Sequence, residues 1–201
     1  MLDARLQSSR VEAGCDEVGR GCLAGPVTAA AVILPRDFKH PNLNDSKAVS
    51  KTKRDQLRKI IEKEAIAWAV QFISPSKIDK INILRASFLA MEQAVEQLKT
   101  QPEYLLIDGN RFISNLTIPF ECIVQGDSKN GSIAAASILA KTHRDDYMRK
   151  IHAEFPYYAW DSNVGYPTKA HRDGIRKHGA TKYHRQSFQL LPPQLELDFG
   201  N

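Results

Sequence analysis

The sequence predicts an α/β fold, a mixed sheet flanked by helices with a helical lobe at its C-terminal end. Three observations carry that expectation. Short apolar runs bounded by Gly and Pro recur as strand candidates, longer stretches between them step their apolar positions by three and four, and from residue 132 onward the regular stretches read as helices.

Residues 11–16 (VEAGCD) and 27–34 (VTAAAVIL) read as strands of a hairpin joined by a Gly-rich turn, with Pro35 closing the second. After Ser50, residues 51–65 place Leu57, Ile60, Ile61 and Ala65 on one helical face; Trp68, Val70 and Phe72 then alternate as in a strand. A helix follows Pro75. Leu84, Phe88, Met91, Val95 and Leu98 make an amphipathic helix that stops before Pro102. YLLID (104–108) and IPFECIV (118–124) read as buried central strands.

Residues 132–154 form the clearest helix: IAAAS (133–137) lets it lie close to the sheet, while Lys141, Arg144, Arg149 and Lys150 suit an exposed basic part. Residues 168–178 form another, with Thr168 as N-cap and Gly179 past its end, before a short YHRQSF segment. Beyond Pro192 and Pro193 the chain reads as a tail.

Composition sets the class. With 201 residues, 42% hydrophobic and 25% charged, the chain can bury roughly two-thirds of its unfolded surface without staples. No apolar run is long enough to span a bilayer, and MLDARLQSSR has charges where a secretory core would be, so a cytoplasmic protein is expected, without a membrane partner. Cys15, Cys22 and Cys122 are an odd number without CxxC spacing, which argues against disulfides and zinc. The net charge of +5 is uneven, since residues 141–189 carry 10 Lys and Arg against 5 Asp and Glu. Five of six histidines lie there too and could add charge near a polyanion, so a phosphate backbone is the expected partner.

Acids stand where strands end: Asp16 and Glu17 after the first, Asp108 closing YLLID, and Asp127 after IPFECIV. Converging carboxylates repel, and hard divalent cations such as Mg²⁺ or Mn²⁺ resolve the repulsion. Two such ions about 4 Å apart support phosphodiester cleavage. Adjacent residues of a strand face opposite ways, so Asp16 and Glu17 need a bend, for which Gly14 and Gly19 are candidates. Gly19-Arg20-Gly21 offers approachable backbone N–H groups and a guanidinium; Tyr166 of GYPT could stack on a sugar or base; Lys47 of NDSK could meet a phosphate. Each has a plain alternative as a turn.

Together these segments are far more specific. GCDEVGRGCLAGPVTAAAVIL, NDSK, IDGN, GDSKNGSIAAASILAKTHRD and GYPT, in this order, closely resemble the bacterial ribonuclease HII group of the type 2 ribonuclease H family, from about residue 10 to Phe188. The resemblance implies a ribonuclease H-like sheet in a catalytic domain over 10–189, divided into an α/β core (10–154) and a helical lobe (155–189). It implies Mg²⁺- or Mn²⁺-dependent cleavage of RNA in RNA–DNA hybrids and of single ribonucleotides in duplex DNA. Water attacks on the 5′ side, leaving 5′-phosphate and 3′-OH ends.

Carried over by motif, Asp16, Glu17, Asp108 and Asp127 are the catalytic, metal-binding acids; Gly19, Arg20 and Gly21 sense the 2′-hydroxyl, Tyr166 packs at the RNA–DNA junction, and Lys47 joins the substrate contacts. The 2′-hydroxyl is what distinguishes RNA from DNA. Cys22 stands where many members have proline and Gln125 where lysine is common; the second change removes one phosphate contact.

In the tail (190–201), Gln194, Leu197 and Phe199 fit a Q-x-x-L-x-F pattern resembling the peptide by which bacterial proteins grip the DNA sliding clamp. Capping of the protein's own core is the equal alternative. A monomer is expected. The rival readings are a non-catalytic hybrid-binding module and another ribonuclease H-like nuclease, a resolvase or exonuclease.

Overall fold

The computed structural model describes residues 1–7, 9–43 and 49–192. Strand β1 (Glu12–Val18) pairs antiparallel with β2 (Val27–Ile33), which pairs antiparallel with β3 (Ala67–Ile73). On the other side β4 (Tyr104–Asp108) runs parallel to β1, and β5 (Phe120–Ile123) parallel to β4, giving the order β3-β2-β1-β4-β5. The sheet is mixed, as expected. The IPFECIV strand is not a buried central one, however: β5 forms an edge with one flank paired, and its residues are half-buried or exposed.

Helix α1 (Lys51–Glu64) starts at Ser50, whose side chain accepts from the Lys53 N–H; α2 (Pro75–Ile81) starts likewise at Ser74, with Pro75 at its first turn. Then follow α3 (Ile83–Glu96), α4 (Gly131–Glu154), the short α5 (Trp160–Asn163) and α6 (Lys169–His178), the last capped by Thr168 and ended by Gly179. Period-two alternation on β2 divides the core. Val27, Ala29, Ala31 and Ile33 face α3, whereas Ala30 and Val32 face α1 and α4. Buried Ile133, Ile138 and Leu139 of α4 each stabilise this packing by about 1.5–3 kcal/mol.

Gly14 makes the close packing possible. A Cβ there would overlap the Ser132 carbonyl carbon and the Ile133 nitrogen, so glycine is required by α4, and β1 keeps its register through Val18 without the bend expected at Gly14. A third cluster joins Leu23 and Ala24, from the β1–β2 connection, to Met148, Tyr158, Trp160 and Ile175. Backbone bonds complete that docking: Leu23 N–H donates to the Gly165 carbonyl, Gly25 N–H to Tyr183, and Arg185 N–H back to Leu23. Instead of a simple hairpin turn, residues 19–26 are therefore a seam against the C-terminal helices.

Candidate active site

The ladder between β1 and β4 ends at Cys15 opposite Ile107. The next residues are Asp16 and Asp108, so parallel pairing delivers two carboxylates to one end of the sheet. A cavity of about 320 Å³ opens there, lined by Asp16, Glu17, Asp108, the Gly19-Arg20-Gly21 turn and Tyr166, with Arg54, Ser137 and Lys141 on its wall. Asp16 and Glu17 share the cavity despite their alternation, because it lies beyond the last β1–β4 pair.

Asp16 is buried, and its Oδ1 accepts the Glu17 N–H at 2.7 Å. Burial pushes its carboxyl well above the usual range, the charges of Glu17 and Asp108 push further, and the Ser137 hydroxyl opposes both. Glu17 is raised first by burial, then by Asp108, against the pull of Arg20 at 3.2 Å. Asp108 Oδ1 accepts the Gly126 N–H at 2.7 Å, which ties the strand end to the 3₁₀ turn Gly126–Ser128. Asp127 is buried in that turn and does not line the cavity. Three of the four expected acids thus line one cavity, and the fourth is buried next to Gly126, whose N–H bonds Asp108.

Lys47 and the segment 194–199 lie outside the described residues. Arg144, expected on an exposed basic surface, is instead fully buried. It donates Nε to the Pro26 carbonyl at 2.9 Å, Nη1 to Val164 at 2.8 Å and Nη2 to Ala24 at 3.2 Å, because the β1–β2 connection and the GYPT loop close over it. Of the five histidines in this segment, His171 and His184 are buried and His143 is half-buried, and burial lowers all three below the usual imidazole value.

Sequence reading missed Arg185, whose neighbourhood carries no local signal. Its buried guanidinium donates Nη2 to the Gly19 carbonyl at 2.7 Å, Nη1 to the Arg20 carbonyl at 2.8 Å and Nε to Gly25 at 3.1 Å. Across a trans peptide, C=O and N–H point in opposite directions. With the carbonyls of Gly19 and Arg20 held toward Arg185, the N–H groups of Arg20 and Gly21 face the other way. Ser137 was also missed as a polar partner, having been read only as a small residue that lets α4 approach.

These residues fit a hard divalent cation, since they gather carboxylate oxygens whose mutual repulsion Arg20 and Ser137 relieve only in part. Among the described residues no three acidic, His or Cys side chains form a ready metal cage.

Acids at the ends of β1 and β4, gathered in one cavity, suit metal-assisted hydrolysis of a phosphodiester. A family model described as Ribonuclease HII matches residues 13–191. The Ribonuclease HII of Parabacteroides distasonis is 63% identical over 199 residues, covering 99% of this chain and 100% of the relative. A solved PCNA:RNase HII complex from Archaeoglobus fulgidus is similar at a TM-score of 0.76 and 23% identity, over 92% of this chain and 98% of that one. Bst-RNase HIII in complex with Mn²⁺ is similar at 0.70 and 19%, over 93% and 70%. The chain belongs to the ribonuclease HII family and is a ribonuclease H endonuclease. No helix among the described residues is long and apolar enough to cross a membrane.

Proposed function

We propose that this enzyme cleaves on the 5′ side of a ribonucleotide, in RNA–DNA hybrids and at single ribonucleotides in duplex DNA, leaving 5′-phosphate and 3′-OH ends. The observation that carries the reading is one cavity uniting Asp16, Glu17 and Asp108 with the Gly19-Arg20-Gly21 turn and Tyr166. Acids without a 2′-hydroxyl sensor would serve any nuclease; acids beside outward-facing N–H groups suit a ribose-selective one.

Asp16, Glu17, Asp108 and Asp127 would hold Mg²⁺ or Mn²⁺. When bound, such ions activate a water and stabilise charge on the leaving oxygen. The chain's own residues do the rest. The N–H groups of Arg20 and Gly21 bond the 2′-hydroxyl, the Tyr166 ring packs on the nucleotide at the junction, and the Arg20 guanidinium, paired with Glu17, faces the phosphate. Lys47 would add a phosphate contact. Support for a metal also comes from the Mn²⁺ complex of Bst-RNase HIII.

The test is cleavage of three duplexes, all-DNA, DNA with one ribonucleotide, and an RNA–DNA hybrid, each with Mg²⁺, Mn²⁺ or chelator. Metal-dependent incision 5′ to the ribonucleotide, with all-DNA intact, is expected. Equal cutting of all-DNA would point to a resolvase or exonuclease, and tight binding without cutting to a hybrid-binding module.

We also propose that residues 194–199 dock on the DNA sliding clamp, with Leu197 and Phe199 as anchors. Support comes from the sequence pattern and from the PCNA complex of the Archaeoglobus fulgidus protein. Clamp binding that survives removal of residues 194–201 would rule this out.

A further inference from the structure

Behind Tyr166, a chain of hydrogen bonds orders two buried imidazoles. The Thr181 N–H donates to His184 Nδ1 at 2.9 Å, which makes Nδ1 an acceptor and puts the proton of neutral His184 on Nε2. That Nε2 lies 3.2 Å from His171 Nε2, which also receives the Trp160 indole N–H at 2.9 Å. His171 Nε2 is therefore the acceptor and its proton sits on Nδ1, 2.9 Å from the Tyr166 carbonyl.

Each bond fixes the next, so only one pair of tautomers satisfies the chain. A proton added to His171 would leave three donors facing one another at Nε2, and burial holds both rings below the ordinary histidine value. The chain ends on the backbone of the residue whose ring lines the cavity.

We propose that His171 is a positioning residue for Tyr166: its Nδ1–H, set by Trp160 and His184, fixes the Tyr166 carbonyl and with it the pose of the ring against the nucleotide. The inference rests on the reading of Tyr166 as a substrate contact. The second support of that carbonyl, the Thr168 N–H at 2.8 Å, lies within the same loop, whereas His171 ties it to the interior of the C-terminal helices.

Two substitutions separate positioning from general packing. His171→Asn keeps a donor near the Nδ1 position; His171→Gln keeps a polar group near Nε2, toward Trp160, and gives up the Nδ1 donor. Cleavage of a single-ribonucleotide duplex, measured below both melting temperatures, should fall about tenfold in kcat/KM for His171→Gln and stay within about threefold of wild type for His171→Asn. The loss should vanish in a Tyr166→Ala background, where there is no ring left to position. Equal losses for the two variants, or a His171→Gln loss undiminished beside Tyr166→Ala, would overturn the inference. Wild-type cleavage by Tyr166→Ala alone would instead sink the substrate-contact reading on which it stands.

Discussion

Arg185 holds the Gly19 carbonyl at 2.7 Å from beneath, and through it fixes which way the Arg20 N–H points. The same guanidinium takes the next carbonyl as well, so the turn's orientation is set by a side chain that does not line the cavity. A cation without a carboxylate bonded to it is costly to bury, and burial lowers this guanidinium to about 10. The three carbonyls that receive it offset that cost and make the residue hard to replace.

Arg185→Lys should therefore fail despite keeping the charge, because an ammonium lacks the planar fork that spans two carbonyls. Unpaired buried carbonyls cost about 1–3 kcal/mol, read as a lower urea midpoint. Cleavage at a single ribonucleotide should fall at least tenfold, with kcat/KM on the 2′-hydroxyl substrate the measurement that decides. Unchanged selectivity would show that the turn holds itself.

Gly19→Ala attacks the same turn from the other side. Gly19 has φ +89°, and a Cβ there would overlap the buried Arg144 guanidinium. A non-glycine residue in that region costs about 1–3 kcal/mol, so the melting temperature should drop and cleavage with it. Gly109→Ala, also at positive φ but with open space around its Cβ, isolates the backbone part; it should lose less.

Asp108→Asn keeps the shape and the acceptor for the Gly126 N–H while removing a negative charge from the cavity. Hybrid binding should persist and cleavage fall by about 10⁴-fold or more, as when a residue of a catalytic unit is removed. Gel-shift and cleavage assays on one preparation check both halves. Unchanged cleavage would falsify the assignment of Asp108.

Stability should weaken in mild acid through His184. Burial and the neighbouring His171 lower it to about 4, against 6.5 when free. Its folded value lies below its unfolded one, so its contribution is complete above 6.5 and is lost as pH falls toward 4, with uptake of about one proton on unfolding. Urea midpoints from pH 7.5 to 4.5 should show this slope, flatter in His184→Gln.

Much of the site was legible because its acids sit in local patterns: a strand ending in Asp108, a strand carrying Asp16 and Glu17, and Gly flanking Arg20. The puzzle of Asp16 and Glu17 facing opposite ways was not solved by any bend at Gly14. Its solution is that β1 outruns its ladder with β4. IPFECIV read as central because apolar content reports burial in general, and which flank of a strand is paired depends on strands elsewhere in the chain.

The sequence by itself determined the order of elements, the capping of the last helix, the acids at strand ends and the family, since periodicity, turn chemistry and motif order are local or collinear properties. Only the tertiary structure decided that Arg144 and Arg185 are internal struts, that Asp127 is buried and does not line the cavity, and that His171 and His184 are buried side by side. A hydrogen bond such as that from Arg185 to Gly19 joins residues 166 positions apart. A long cationic side chain reads alike on a surface and in a core until the fold brings its carbonyl partners to it.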